Sequence, residues 1–179
     1  MVPARVSGSV PKERRDRMTN TFLHSLTVDE RAECLERGSL RARAVGEMLV
    51  QAGARFSSLS VILSGSAEVR RSDGLVLATL GAGDVVGEIS FLQGADGRAT
   101  ADVVANTPVD VVDLSEAAID GLLLDRPQTA ARLYKSLAQV LARRLQATSQ
   151  RVVASGSTAT PRSSLAPKRP WPNGSRAPS

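Results

Sequence analysis

Apolar and polar residues are patterned in two different ways along this 179-residue chain. Between Leu40 and Asp113 the apolar runs are short and rich in Val and Leu. They read "LRARAV", "EMLVQ", "SLSVILSG", "SAEVRRS", "LVLATLG", "DVVG", "TADVVA" and "VDVVDLS". Gly46, Gly53, "SDG" at 72–74, "GAGD" at 81–84 and "NTP" at 106–108 break them at close intervals. So many short β-prone segments with regular turns predict an antiparallel sandwich or barrel, with a jelly roll the natural candidate. Within "RRSDGLVL", Asp73-Gly74 predicts a hairpin closed by a type I′ turn.

On either side the period is helical. At 22–37, Thr27 and Glu30 form a T-x-x-E capping box. Leu26, Val28, Ala32 and Leu35 supply a modest apolar face, so a short helix is expected there, ending at Gly38. After Asp113, "LSEAAIDGLLLD" offers Ser115 as N-cap and stops before Arg126-Pro127. Pro127 suits the first turn of a longer helix over 127–153. Along it Ala130, Leu133, Leu137, Val140, Leu141 and Leu145 recur at three- and four-residue steps. A helix this long is more than a small domain buries alone, which predicts a coiled-coil-like contact and a homodimer through 127–153.

The fold class is thus mainly β with flanking α: an eight-stranded antiparallel jelly roll, a short N-terminal helix and a C-terminal helix pair. Residues 1–19 are polar, basic and aperiodic, and read as an arm. Residues 154–179 are rich in Ser, Pro, Ala and Gly, and read as a disordered tail. The folded domain is then 20–153. Charge supports this division. The net +5 resides in the termini, with +3 on residues 1–18 and +5 on 151–179, whereas the segment between carries −3. The high pI therefore belongs to the ends and says little about nucleic acid.

Composition narrows the chemistry. Cys34 is the single cysteine, so no intrachain disulfide can form and a reducing compartment fits. One histidine, His24, and one cysteine rule out the usual nitrogen and sulfur metal sites. No apolar run approaches a membrane span and the N-terminus has no secretory h-region, so a soluble cytoplasmic protein is expected. No nucleophile, base and orienting group assemble, so no enzyme is expected. His24 and Cys34 read as structural, and Tyr134 as a packing residue. Trp171, beside Lys168 and Arg169, reads either as a docking motif or as a tail residue without function.

The informative stretch is 87–101, "GEISFLQGADGRATA". Its pattern suggests a strand end, a short helical turn and a small-residue loop. The first turn of such a helix exposes backbone N–H groups that attract an anion. Arg98 adds a planar, bidentate donor matched to phosphate. Glu88 is unsuited to a phosphate but suits a sugar hydroxyl. An acid for ribose and a base for phosphate, joined by a small-residue loop, describe a nucleotide clamp. The alternative is a surface Glu–Arg pair flanking an ordinary loop.

"GEISFLQGADGRATADVVA" resembles the phosphate-binding cassette of the cyclic nucleotide-binding domain, whose pattern is G-E, a hydrophobic turn, R-[AST]-[AST] and a closing strand. "ARRLQATSQRV" at 142–152 is similar to the dimer helix of the bacterial catabolite activator protein, whose sensor domain is the nearest likeness. The resemblance covers roughly 22–153. It implies a ligand site of Gly87, Glu88, Ile89, Ser90, Arg98, Ala99, Thr100, Arg144, Thr148 and Ser149. Gly87 and Glu88 would hold the ribose 2′-hydroxyl, and Arg98 with the Ala99 N–H the cyclic phosphate. Thr148, with Ser149 from the partner chain, would contact adenine. Arg144 would approach the phosphate or stand as a solvent-facing helix charge. Ala99, where a threonine would favour guanine, implies cAMP over cGMP.

Two departures stand in the cassette. Gly97 precedes the arginine where many members have proline, which implies a looser loop. Asp96 is placed to form a salt bridge with Arg98. The chain also lacks the winged helix-turn-helix of the transcription-factor branch, so no specific DNA binding is expected. The expectation is a stand-alone regulatory sensor that signals to an unidentified effector protein. The alternative is an adaptor that keeps the fold without binding nucleotide.

Overall fold

The computed structural model describes residues 22–156, with side chains through residue 150. The arm at 1–19 and Trp171 lie outside the described residues, as does all of the 154–179 segment beyond Gly156. The chain divides into two compact units at Arg143/Arg144.

The first unit is a jelly roll. Its eight strands are β1 (Ser39–Arg43), β2 (Met48–Val50), β3 (Ser58–Ser64), β4 (Ala67–Arg70), β5 (Val76–Leu80), β6 (Val85–Val86), β7 (Asp102–Ala105) and β8 (Val109–Ser115). They form two antiparallel four-stranded sheets, ordered β1-β8-β3-β6 and β2-β7-β4-β5. Each strand coincides with one of the eight apolar runs, β1 starting one residue before its run. β3 is the central example: "SLSVILS" is buried along almost its whole length. A strand covered on both faces needs apolar residues in consecutive positions, not alternating ones. Leu59, Val61 and Leu63 pack toward the helical side, while Ile62 joins Val86, Val109 and Val111 between the sheets.

Helices close one side of the sandwich. α1 (Val28–Glu36) is capped by the Thr27–Glu30 box, with the Thr27 N–H donating to Glu30 Oε2 at 2.8 Å and the Glu30 N–H to Thr27 Oγ1 at 3.3 Å. It starts directly after the expected cap, with Thr27 held in an extended conformation. The turn before it supplies the buried Phe22, Leu23 and Leu26, and Val28 is left exposed. α3 (Glu116–Asp125) is capped by Ser115, whose Oγ accepts from the Ala118 N–H, and α4 runs from Pro127 to Gly156. Between β6 and β7 lie α2 (Glu88–Leu92) and a 3-10 turn, Gly94–Asp96. Ile119, Leu122, Ala130, Leu133, Leu137 and Val140 complete the core against β3 and β8. Tyr134 packs against this core and Cys34 lies inside it. Leu145, on the expected apolar ladder of α4, is 68% exposed.

The β4–β5 hairpin corrects one expectation. A type I′ turn needs positive φ at both central residues. Only Gly74 has it, at 85°, and among the described residues no other residue type does. Asp73 stays in the ordinary region because its carboxylate is held from two sides, accepting from Arg71 Nε at 3.0 Å and from the Leu75 N–H at 3.1 Å. The turn closes from the Gly74 N–H to Arg71 O, with a register shift at Val69/Arg70.

Candidate functional site

The cassette begins where β6 ends. Gly87 takes φ 86°, ψ 2° at the cap of α2. A Cβ there would lie 2.3 Å from the Phe56 ring and 2.7 Å from Ser58 O, so both the turn and the close packing require glycine. That turn makes Glu88 the first residue of α2, where it is only 4% exposed. Ser90 is also buried, and its Oγ accepts from the Phe56 N–H at 3.3 Å. Phe91 anchors the helix in the core, while Ile89 and Leu92 face outward.

The chain then turns through Gly94–Asp96 and straightens at Gly97, with φ −62° and ψ 124°. Arg98 follows, exposed, and its Nη1 donates to Gly53 O at 3.0 Å. The expected salt bridge to Asp96 does not form: among the described residues no carboxylate lies within ion-pair distance of Arg98. The extended backbone at Gly97 carries Arg98 away from the 3-10 turn and into an antiparallel bridge with Arg55. The Ala99 N–H donates to Ala54 O at 3.0 Å, and the Gly53 N–H to Ala99 O at 2.8 Å. Thr100 is exposed just beyond.

The structure thus brings Gly87, Glu88, Ile89, Ser90, Arg98, Ala99 and Thr100 into one continuous cassette. It is braced by a loop that the sequence did not single out. Ala52 donates to Asp102 Oδ1 at 2.7 Å, Gly53 and Ala54 bond to Ala99, and Phe56 covers Gly87 and bonds to Ser90. The sequence signal for that loop was weak, a lone arginine two residues after a turn glycine.

Arg144, Thr148 and Ser149 belong to the second unit. Within it, Thr148 Oγ1 donates to Arg144 O at 2.9 Å. Serine and threonine in helices commonly bond back in this way to the carbonyl four residues earlier. Thr148 and Ser149 are exposed, and Arg144 is half-buried.

A cleft of about 420 Å³ opens elsewhere, between the start of α1 and the α3–α4 turn, lined by residues including Asp29, Glu33, Asp125, Gln128 and Thr129. Its charges are largely paired. Arg37 reaches Glu33 (3.2 Å) and Asp125 (3.1 Å), Arg126 reaches Glu33 (3.2 Å), and Arg132 reaches Glu30 (2.7 Å). The Thr27 N–H first, and Arg132 next, hold the Glu30 carboxyl below its usual range. Among the described residues, no group of three or more His, Cys, Asp or Glu could hold a metal ion, and no helix is long and apolar enough to cross a membrane.

Comparison with known proteins agrees with this fold. Residues 41–126 match the family model of the cyclic nucleotide-binding domain. Glutaminase 2 of Bradyrhizobium diazoefficiens is 34% identical over 131 residues, covering 73% of this chain but 20% of its own length. The chain therefore spans about a fifth of that curated relative. Among solved structures, a cyclic nucleotide-binding domain from Methylobacillus flagellatus superposes with TM-score 0.70 and 22% identity, covering 80% of this chain and 85% of that one. The catabolite activator protein of Thermus thermophilus gives TM-score 0.64 and 25% identity, covering 75% of this chain and 62% of that one. The fold is that of a cyclic nucleotide-binding domain. This chain carries a domain of the cyclic nucleotide-binding family.

Proposed function

We propose that the domain is a regulatory sensor for a cyclic mononucleotide, with cAMP the favoured ligand. The observation that carries this reading is Arg98: an exposed guanidinium in the cassette, without a carboxylate partner among the described residues. Such a cation on a hydrogen-bonded segment is a preorganised phosphate donor. Glu88, ten positions earlier, would accept from the ribose 2′-hydroxyl. A phosphate that reached the Ala99 N–H would share it with Ala54 O.

Adenine is favoured by the chemistry of Thr148. Its hydroxyl proton is engaged by Arg144 O, which leaves lone pairs to accept a hydrogen bond. Adenine presents an amino donor at its sixth position, whereas guanine presents a carbonyl acceptor. Ser149 would contribute from the partner chain of a homodimer formed through α4, where Leu145 is exposed. Ligand binding would shift the equilibrium position of α4 and so signal to a partner protein.

Thermal unfolding with and without nucleotide tests the reading. Ligand at about 100 times its Kd adds roughly 2.7 kcal/mol, a shift on the order of 5–10 °C. The expected result is such a shift with cAMP, a smaller one with cGMP, and none for Arg98→Ala. Absence of any shift at millimolar nucleotide would overturn the sensor and leave the adaptor as the better account.

A further inference from the structure

Arg98 is paired across an isolated antiparallel bridge with a second arginine, Arg55. Directly opposite residues of an antiparallel pair project from the same face, and like charges in that relation repel. Six arginines elsewhere in the fold, Arg37, Arg41, Arg70, Arg71, Arg126 and Arg132, each meet a carboxylate. Arg55 and Arg98 do not, among the described residues. Nor is the loop holding Arg55 slack. Ala52, Gly53, Ala54 and Phe56 are all hydrogen-bonded to the cassette or to β7, while the Arg55 side chain stays exposed. The backbone thus sets two arginines directly opposite each other beside Gly87 and Ser90, with no carboxylate on either among the described residues.

We propose that Arg55 is a second phosphate-binding arginine, closing with Arg98 on the two exocyclic oxygens of the cyclic phosphate. The inference rests on the reading of the cassette as a phosphate site. A cyclic phosphodiester offers two oxygens that share one negative charge. A planar guanidinium on each satisfies both and relieves the repulsion between the arginines. Bound phosphate would be the counter-ion that this pair lacks among the described residues.

Calorimetric titration of the full chain with cAMP tests this, using wild type, Arg55→Ala, Arg55→Lys and Arg98→Ala, at low and high salt. Loss of a charge-assisted hydrogen bond predicts roughly 10-fold or greater weakening for Arg55→Ala. Arg55→Lys should recover part of the loss. Wild-type affinity should fall more steeply with salt than that of Arg55→Ala. Without ligand, Arg55→Ala should melt at or slightly above the wild-type temperature. If Arg55→Ala binds within about two-fold of wild type while Arg98→Ala does not bind, the second arginine is refuted and the sensor stands. If Arg55→Ala melts early and Arg55→Lys restores neither property, Arg55 is a structural residue and the proposal fails. If wild type binds no cyclic nucleotide, both readings fall together.

Discussion

The helical junction and the cassette handle charge in opposite ways. Around α1 and the α3–α4 turn, Asp125, Arg37, Glu33 and Arg126 form a connected set of ion pairs, and Glu30 and Arg132 pair beside it. Around α2, Arg55 and Arg98 stand opposite each other with no acid between them among the described residues. Both regions are well braced by backbone hydrogen bonds, so the difference is not one of order. The junction pairs most of its charges within the protein, and on the reading proposed above the cassette would gain its counter-charge from a bound anion. A group whose charge the fold leaves uncompensated contributes little to the free protein and much to the bound one.

The comparison can be pressed hardest at Gly87. Gly87→Ala would force alanine into φ 86° and drive a Cβ into Phe56 and Ser58. Strain and overpacking together predict a loss of about 3 kcal/mol, read by denaturant melts. Loss of nucleotide binding should accompany it, because Glu88 is placed by that turn. An unchanged midpoint would mean that the cassette backbone is not under this constraint.

Cys34 probes the junction through pH. Burial first, then the Glu33 charge, pushes its thiol from 9.0 up to about 12. A raised thiol favours the neutral form in the folded state. Its contribution is therefore fully present below about pH 9 and is lost as pH rises toward 12. Stability should fall by about 1 kcal/mol between pH 9 and 10 beyond the fall seen in Cys34→Val. Equal slopes in the two proteins would show that Cys34 is accessible to solvent.

The smallest expected effect is Arg132→Ala, which removes the partly exposed pair to Glu30. Such pairs contribute on the order of 0.5 kcal/mol, and salt should erase the difference. cAMP affinity should hardly change. A large loss of affinity would break the contrast and make the junction part of the ligand response.

The sequence carried the jelly roll because each strand is a local signal: a Val- and Leu-rich run bounded by glycine or a polar turn, as at "SLSVILSG". Caps were legible for the same reason, since Thr27 and Glu30, or Ser115 and Ala118, lie three residues apart. The hairpin turn was misread because Asp73 is held by Arg71 and Leu75, contacts that the dipeptide Asp-Gly does not encode. Glu88 and Arg98 were legible as an acid and a base at a telling separation. Their neighbour Arg55 was not, because its partnership with Arg98 depends on a bridge 43 positions long in sequence. The missing Asp96–Arg98 bridge shows the limit from the other side: two residues of separation say nothing about direction when an extended glycine stands between them.

That glycine also constrains how such a site can change over time. Gly97 adopts φ −62°, an angle that proline would accept. Yet a Cβ at this position would lie 1.9 Å from Ser90 O, and the N–H that proline would lose is bonded to Gly94 O at 2.9 Å. Proline at this position is therefore not reached by one substitution without displacing its surroundings. Ser90, the 3-10 turn and position 97 have to move as a set. An engineer altering position 97 should therefore exchange residues 87–99 as one block, because the helical turn, the 3-10 turn and the bridge interlock through that one small residue.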